Sequence, residues 1–82
     1  MKKLNPDQMK SRKEAIEILR KVNSFIGHAV EMHLNDIESE FPSVSAKKND
    51  TFIKGMLYAL EMTKQIDHTV YMKIFFEKEI NY

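Results

Sequence analysis

The chain has no cysteine. That removes disulfides, thiolate zinc sites, iron–sulfur clusters and a cysteine nucleophile together. It has two glycines and two prolines, too few turn formers for a many-stranded β fold. Tryptophan is also missing. No long hydrophobic run exists: the longest uninterrupted apolar stretch is Met56 to Leu60, far short of the roughly 18 residues that span a bilayer. Met1-Lys2-Lys3 looks like the start of a signal peptide, but the polar Leu4-Asn5-Pro6-Asp7-Gln8 follows it in place of an apolar core. Neither sign of charge dominates, with 13 Lys and Arg against 12 Asp and Glu. A near-neutral chain is not an obvious polyanion binder. These absences point to a cytoplasmic protein without a transmembrane segment.

What is present is globular composition, 43% hydrophobic and 30% charged, in 82 residues. That length makes one domain, and a small chain buries only a modest share of its surface. The first helix has a well-marked start. Asn5 is the N-cap, Pro6 takes the first helical position, and Gln8 stands where a capping box needs it. Leu4 and Met9 occupy the two positions of a hydrophobic staple.

Apolar residues then recur at helical spacing in two rows. One row is Ile16, Leu19, Ile26, Val30, His33 and Ile37. The other is Ala15, Ile18, Val22, Phe25, Ala29 and Met32. Together they cover about 200° of the helix, where an ordinary surface helix needs little more than 100°. Gly27 reads as a tolerated glycine or a close helix crossing, with a functional hinge as the alternative. This first helix is expected over residues 6–40, where Phe41-Pro42 stops it. Residues 41–49 read as the loop, and Asn49 or Asp50 as the cap of a second helix over 50–79.

The second helix carries Phe52, Met56, Ala59, Leu60, Thr63, Ile66, Val70, Ile74 and Phe75 on one arc, with Ile53, Leu57 and Tyr71 on its flanks. Asp67 falls inside that arc. It could cap a third helix and split or kink the segment there. Thr69 to Phe76 also has β propensity, but a lone strand would have no partner. The last residues, Glu77 to Tyr82, are expected to fray.

The expected fold is therefore all-α, a single domain of two long antiparallel helices. Facing positions should have numbers summing to about 90, an estimate set by the short loop. That sets Asn23 opposite Asp67 as a polar register pair, and His33 near Leu57 and Tyr58. The bland alternative for Asp67 is a cap or an exposed side chain. Each helix offers more apolar surface than one partner covers, and monomers rarely expose large apolar patches. Three outcomes follow: two hairpins pair into a four-helix homodimer, the second helix breaks and folds back, or the patch docks another protein. Ile18, Phe25, Met32, Met62, Met72 and Phe76 lie at the edges of the arcs and are the candidate partner-binding residues. Taken singly, each reads more readily as core.

Chemistry is sparse. His28 and His33 are five apart, so on a helix they point about 140° from each other, unlike the i, i+4 pair of a zinc helix. No metal site or cofactor is expected. His33 on an apolar face reads as a satisfied histidine. Ser43 and Ser45 sit in a loop with no glycine-rich elbow, Glu38 and Glu40 have no evident pocket, and no phosphate-binding loop occurs. No enzymatic activity is expected. Nucleic acid is the alternative partner: residues 1–21 carry seven basic and three acidic side chains, and Lys13, Arg20 and Lys21 are the candidate phosphate contacts. Lys10, Arg12, Lys2 and Lys3 lie near them, while Glu14 and Glu17 interrupt the patch. Glu31, Asp36, Glu38 and Glu40 make the other end of the first helix acidic, against the preference of the helix dipole.

The brevity, the Lys/Ile/Asn/Glu bias and stretches such as Phe52-Ile53-Lys54-Gly55-Met56-Leu57-Tyr58-Ala59-Leu60 give the chain a whole-length resemblance. In style it resembles the small soluble accessory proteins of tailed bacteriophages. That resemblance implies a regulator that docks onto one host or phage protein. One version is an antiholin-type lysis inhibitor that binds a holin's cytoplasmic part. No functional residue carries over from it. The expected function is thus a small non-enzymatic regulator that binds another protein through an apolar helical face, with a nucleic-acid-binding accessory protein as the alternative.

Overall fold

The computed structural model of the chain describes residues 4–76. Lys2, Lys3 and the expected fraying of residues 77–82 lie outside the described residues. Four helices follow one another: α1 (Pro6–Val22), α2 (Ser24–Ile37), α3 (Ala46–Met62) and α4 (His68–Phe75). The fold is all-helical, as expected. The two long helices are not found. Each is divided, the first at Asn23 and the second over residues 63–67.

The start of α1 is as the sequence dictates. Asn5 Oδ1 accepts from the Gln8 N–H at 2.8 Å, and Gln8 Oε1 accepts from the Asn5 N–H at 3.0 Å, closing the capping box with Pro6 just inside. At the far end Asn23 turns the chain alone. Its backbone is extended (φ −156°, ψ 106°). Its N–H reaches back to Leu19 O, and its Oδ1 accepts from the Ile26 N–H at 3.0 Å. One asparagine therefore ends α1 and begins α2. Asparagine suits this because its short amide satisfies a free N–H of the next helix.

The corner folds α2 back along α1. Arg12 pairs with Glu38 and Arg20 with Glu31, so partners descend on α2 as they rise on α1. The helices approach closely at buried Gly27. A Cβ there would sit 2.5 Å from Arg20 Cγ and 3.0 Å from Arg20 Cα. Gly27 is thus the close crossing and Asn23 the corner.

Residues 38–45 return the chain to α3, which packs against α2. Asp36 fixes this loop, accepting from the Ser43 N–H at 2.8 Å and the Ser43 hydroxyl at 2.5 Å. Those two bonds hold the Asp36 carboxyl below its ordinary pKa. The helix starts earlier than expected, with Ser45 at its N-cap, so Asn49 and Asp50 lie inside it. The earlier start shifts the register. His33 meets Asp50 in place of Leu57 and Tyr58.

Beyond Thr63 the chain makes a left-handed step at Lys64 (φ 60°), and the N–H groups of Gln65 and Ile66 both turn back to Leu60 O. That is a helix C-cap of the Schellman kind. Buried Ile66 then drops into the core and Asp67 starts α4. The segment with β propensity is helical, because a lone strand leaves its backbone groups unpaired. The folding back of α4 sets it against α1 and alongside α3, where the Lys54 ammonium lies 5.1 Å from the Phe75 ring centroid.

All four helices supply the centre of the core. Its largest fully buried side chains are Leu19 from α1, Val30 from α2, Leu57 from α3, and Tyr71 and Ile74 from α4. Folding back covers one apolar row of each expected helix within a single chain and leaves Ile18, Phe25, Met32, Phe52 and Met62 among the exposed side chains. Asn23 and Asp67 do not face each other in a buried layer. Both are exposed and stand at helix boundaries. Among the described residues no helix is long and apolar enough to cross a membrane.

Candidate interaction surface

The second apolar row divides once the chain has folded. Ala15 is fully buried, Val22 and Ala29 are half-buried, and Ile18, Phe25 and Met32 face outward. Phe25 is 78% and Met32 58% exposed. Seven residues apart on α2, they fall about 20° from each other around the helix. Ala29 lies between them on the same face. This is an apolar strip on the side of α2 away from Val30 and Leu34, which point into the core.

The other candidate partner-binding residues are dispersed. Ile18 is exposed on α1, Met62 on α3 and Met72 on α4. Phe76 is half-buried, with the Arg12 guanidinium 5.8 Å from its ring centroid. Sequence reading missed several outward apolar groups: Met9 on α1, Phe52 and Tyr58 on α3, and Phe41 and Val44 in the loop. Phe52 lies on the apolar arc expected to face the core. The end of α3 at Met62 removes Ile66, Val70 and Ile74 from the helix and leaves the buried arc on Ile53, Leu57 and Leu60 instead. For Phe41 the signal was available, since a phenylalanine before proline at a helix stop has no helical face to join.

Two polar sites lie inside the fold. The first joins α2 to α3. His33 Nε2 is 2.8 Å from Asp50 Oδ1, and Lys54 Nζ is 2.9 Å from Asp50 Oδ2. Burial pushes the Asp50 carboxyl up, but the hydrogen bonds to His33 and Lys54 more than offset this and hold it below its ordinary pKa. His33 Nδ1 is buried without a hydrogen-bond partner. The His33 side chain is only 4% exposed, and through Asp50 the cluster clasps α2 to α3. The second site is Arg12, whose Nε donates to Ile74 O at 2.9 Å and whose guanidinium meets Glu38 at 2.6 Å. It ties α1 to α2 and α4 at once. His68, at the start of α4, pairs with Glu61 of α3.

A cavity of about 230 Å³ runs between α1 and α2, floored by Met9, Ile16 and Leu34 and rimmed by Arg12, Lys13, Glu17, Glu31, Asn35 and Glu38. It is smaller than the roughly 300–1,000 Å³ that encloses a drug-sized ligand. Among the described residues no group of three or more His, Asp and Glu side chains is placed to hold a metal ion.

The basic end of α1 is partly neutralised from within. Arg12 is held by Glu38, and Arg20 by Glu31 with Glu17 at 4.0 Å. Lys13 and Lys21 remain exposed. The acidic end of the first sequence segment is what neutralises the basic start, because the corner at Asn23 brings the two together. No known protein family, curated protein or solved structure matches this chain.

Proposed function

We propose that this chain is a small non-enzymatic regulator that binds another protein through the outward strip of α2 and modulates it. One observation carries the reading. Phe25 and Met32 stay exposed although a single copy already surrounds a core from four helices. Their exposure therefore is not the residue of an unfinished fold. Burying such side chains against a partner supplies about 1.5–3 kcal/mol each, and an aromatic flanked by a methionine is an adaptable anchor. The internal pairing of Arg12 and Arg20 leaves fewer cations for phosphate and so favours a protein partner over nucleic acid.

Capture from native lysate with wild-type protein and with Phe25→Asp tests this, each at low and high salt. A protein partner retained at high salt and lost with Phe25→Asp supports the reading. Apolar docking survives salt, whereas phosphate contacts weaken steeply with it. Capture that fails at high salt, ignores Phe25→Asp and is abolished by Lys13→Glu with Lys21→Glu assigns the chain to nucleic acid instead.

A further inference from the structure

The outward side of α3 carries a second apolar strip, separate from that on α2. Phe52 and Met62, 66% and 65% exposed, bracket Gly55 and Ala59. At 100° per residue these four positions fall within a sector about 80° wide. That sector lies opposite Ile53, Leu57 and Leu60, which are buried in the core. No charged residue falls in it between Phe52 and Met62. The order along the helix is large, small, small, large, at spacings of three, four and three. The strip therefore reads the same in both directions about Leu57.

Such a pattern is self-complementary. A two-fold contact requires that residue i meet residue j of the other copy while j meets i. We propose that a second copy of this chain covers this strip, the two α3 helices lying antiparallel. Phe52 of each copy then packs on Met62 of the other, and Gly55 opposes Ala59, where the small side chains let the backbones come close. Charge selects this direction over the parallel one. Lys48 is exposed one turn before Phe52 in the same sector, with exposed Lys47 beside it. A parallel pair would gather both lysine pairs and both positive helix ends together, whereas an antiparallel pair sets each against the negative end of the other helix.

This inference goes beyond the reading of α2 and leaves Phe25 and Met32 free for another protein. It moves Met62 from the partner-binding group to the contact between copies. About 15 Å long on a helix about 10 Å across, the strip is far smaller than the roughly 800 Å² per partner of a standard interface, so the dimer is weak. Sedimentation equilibrium on the full chain should show the average mass rising toward two chains between about 10 μM and 1 mM. A single-chain mass across that range overturns the proposal. Ala59→Arg, at an exposed position, should keep the wild-type circular dichroism and remain a single chain at every concentration. If it associates like wild type, the strip is not the contact. Phe25→Asp should associate like wild type, and loss of association there assigns the contact to α2 instead. Because the chain has no cysteine, single variants report direction. Gly55→Cys mixed with Ala59→Cys should give the mixed disulfide in excess of the random proportion. A random mixture, or homodisulfides in excess, excludes the antiparallel arrangement.

Discussion

Two corners turn this chain, one at Asn23 inside the expected first helix and one just before Asp67, where a split of the second is an open alternative in the sequence, and they are built on different principles. At Asn23 one residue does the work, and the turn is held from outside by the closeness of α1 and α2 at Gly27. Over residues 63–67 the turn is held from within by a left-handed Lys64 and by N–H groups returning to Leu60. The first corner depends on side-chain volume across a helix crossing. The second depends on local backbone preference. The contrast shows that a break in a helix can be dictated by its neighbour or by its own residues, and that the two respond to different substitutions.

The sharpest test is Gly27→Ala. In an unconstrained helix this change adds about 1 kcal/mol of stability. Here the new methyl meets Arg20, and overpacking of this kind should cost about 2–3 kcal/mol in urea unfolding. A gain would show that volume does not hold the first corner. Asp50→Ala lies in neither corner and serves as a reference. It leaves His33 buried with both ring nitrogens unpaired, a loss of about 1–2 kcal/mol at neutral pH.

The same carboxyl sets a pH signature. Its folded-state pKa is depressed, so its contribution is present above the unfolded value of about 3.9 and is lost as pH falls through the lower folded value. Unfolding measured down through this acid range should show a shallower decline in Asp50→Asn than in wild type. The remaining slope includes Asp36, whose pKa is lowered too. Asn23→Ala should cost about 1 kcal/mol through loss of the cap to Ile26, while Asn23→Ser keeps most of it. The smallest effect is opposite in sign. Lys64→Gly relieves a left-handed residue at some cost in chain entropy, for a net gain of about 0.5 kcal/mol. A loss at Lys64→Gly would mean the second corner is not governed by backbone preference.

The same contrast explains what could be read from the sequence. The helical class was legible because apolar residues repeat at helical spacing throughout. The start of α1 was legible because Asn5, Pro6 and Gln8 are local devices. The second break was half-legible, since Asp67 interrupts an apolar arc. The first was less so: Asn23 breaks the apolar row between Leu19 and Ile26, but a polar residue there also fits a register pair with Asp67, and the close approach of α2 to α1 at Gly27 leaves no mark in the spacing. That single corner also hid the pairing of Arg12 with Glu38 and of Arg20 with Glu31. On one unbroken rod these side chains form separate basic and acidic ends. Of the candidate surface, Phe25 and Met32 were legible from the width of the apolar arc. Phe52 was not, because Ile66, Val70 and Ile74, which centre the apolar arc on it in one long helix, belong to the turn and to α4.

The central core has a consequence for how the molecule holds together. Leu19 and Val30 come from before the loop held by Asp36 and Ser43; Leu57, Tyr71 and Ile74 come from after it. The two halves thus share one interior, to which each contributes only part. A nick between Phe41 and Val44, both highly exposed, would yield two fragments that fold only upon meeting, and mixing them would reconstitute the intact molecule.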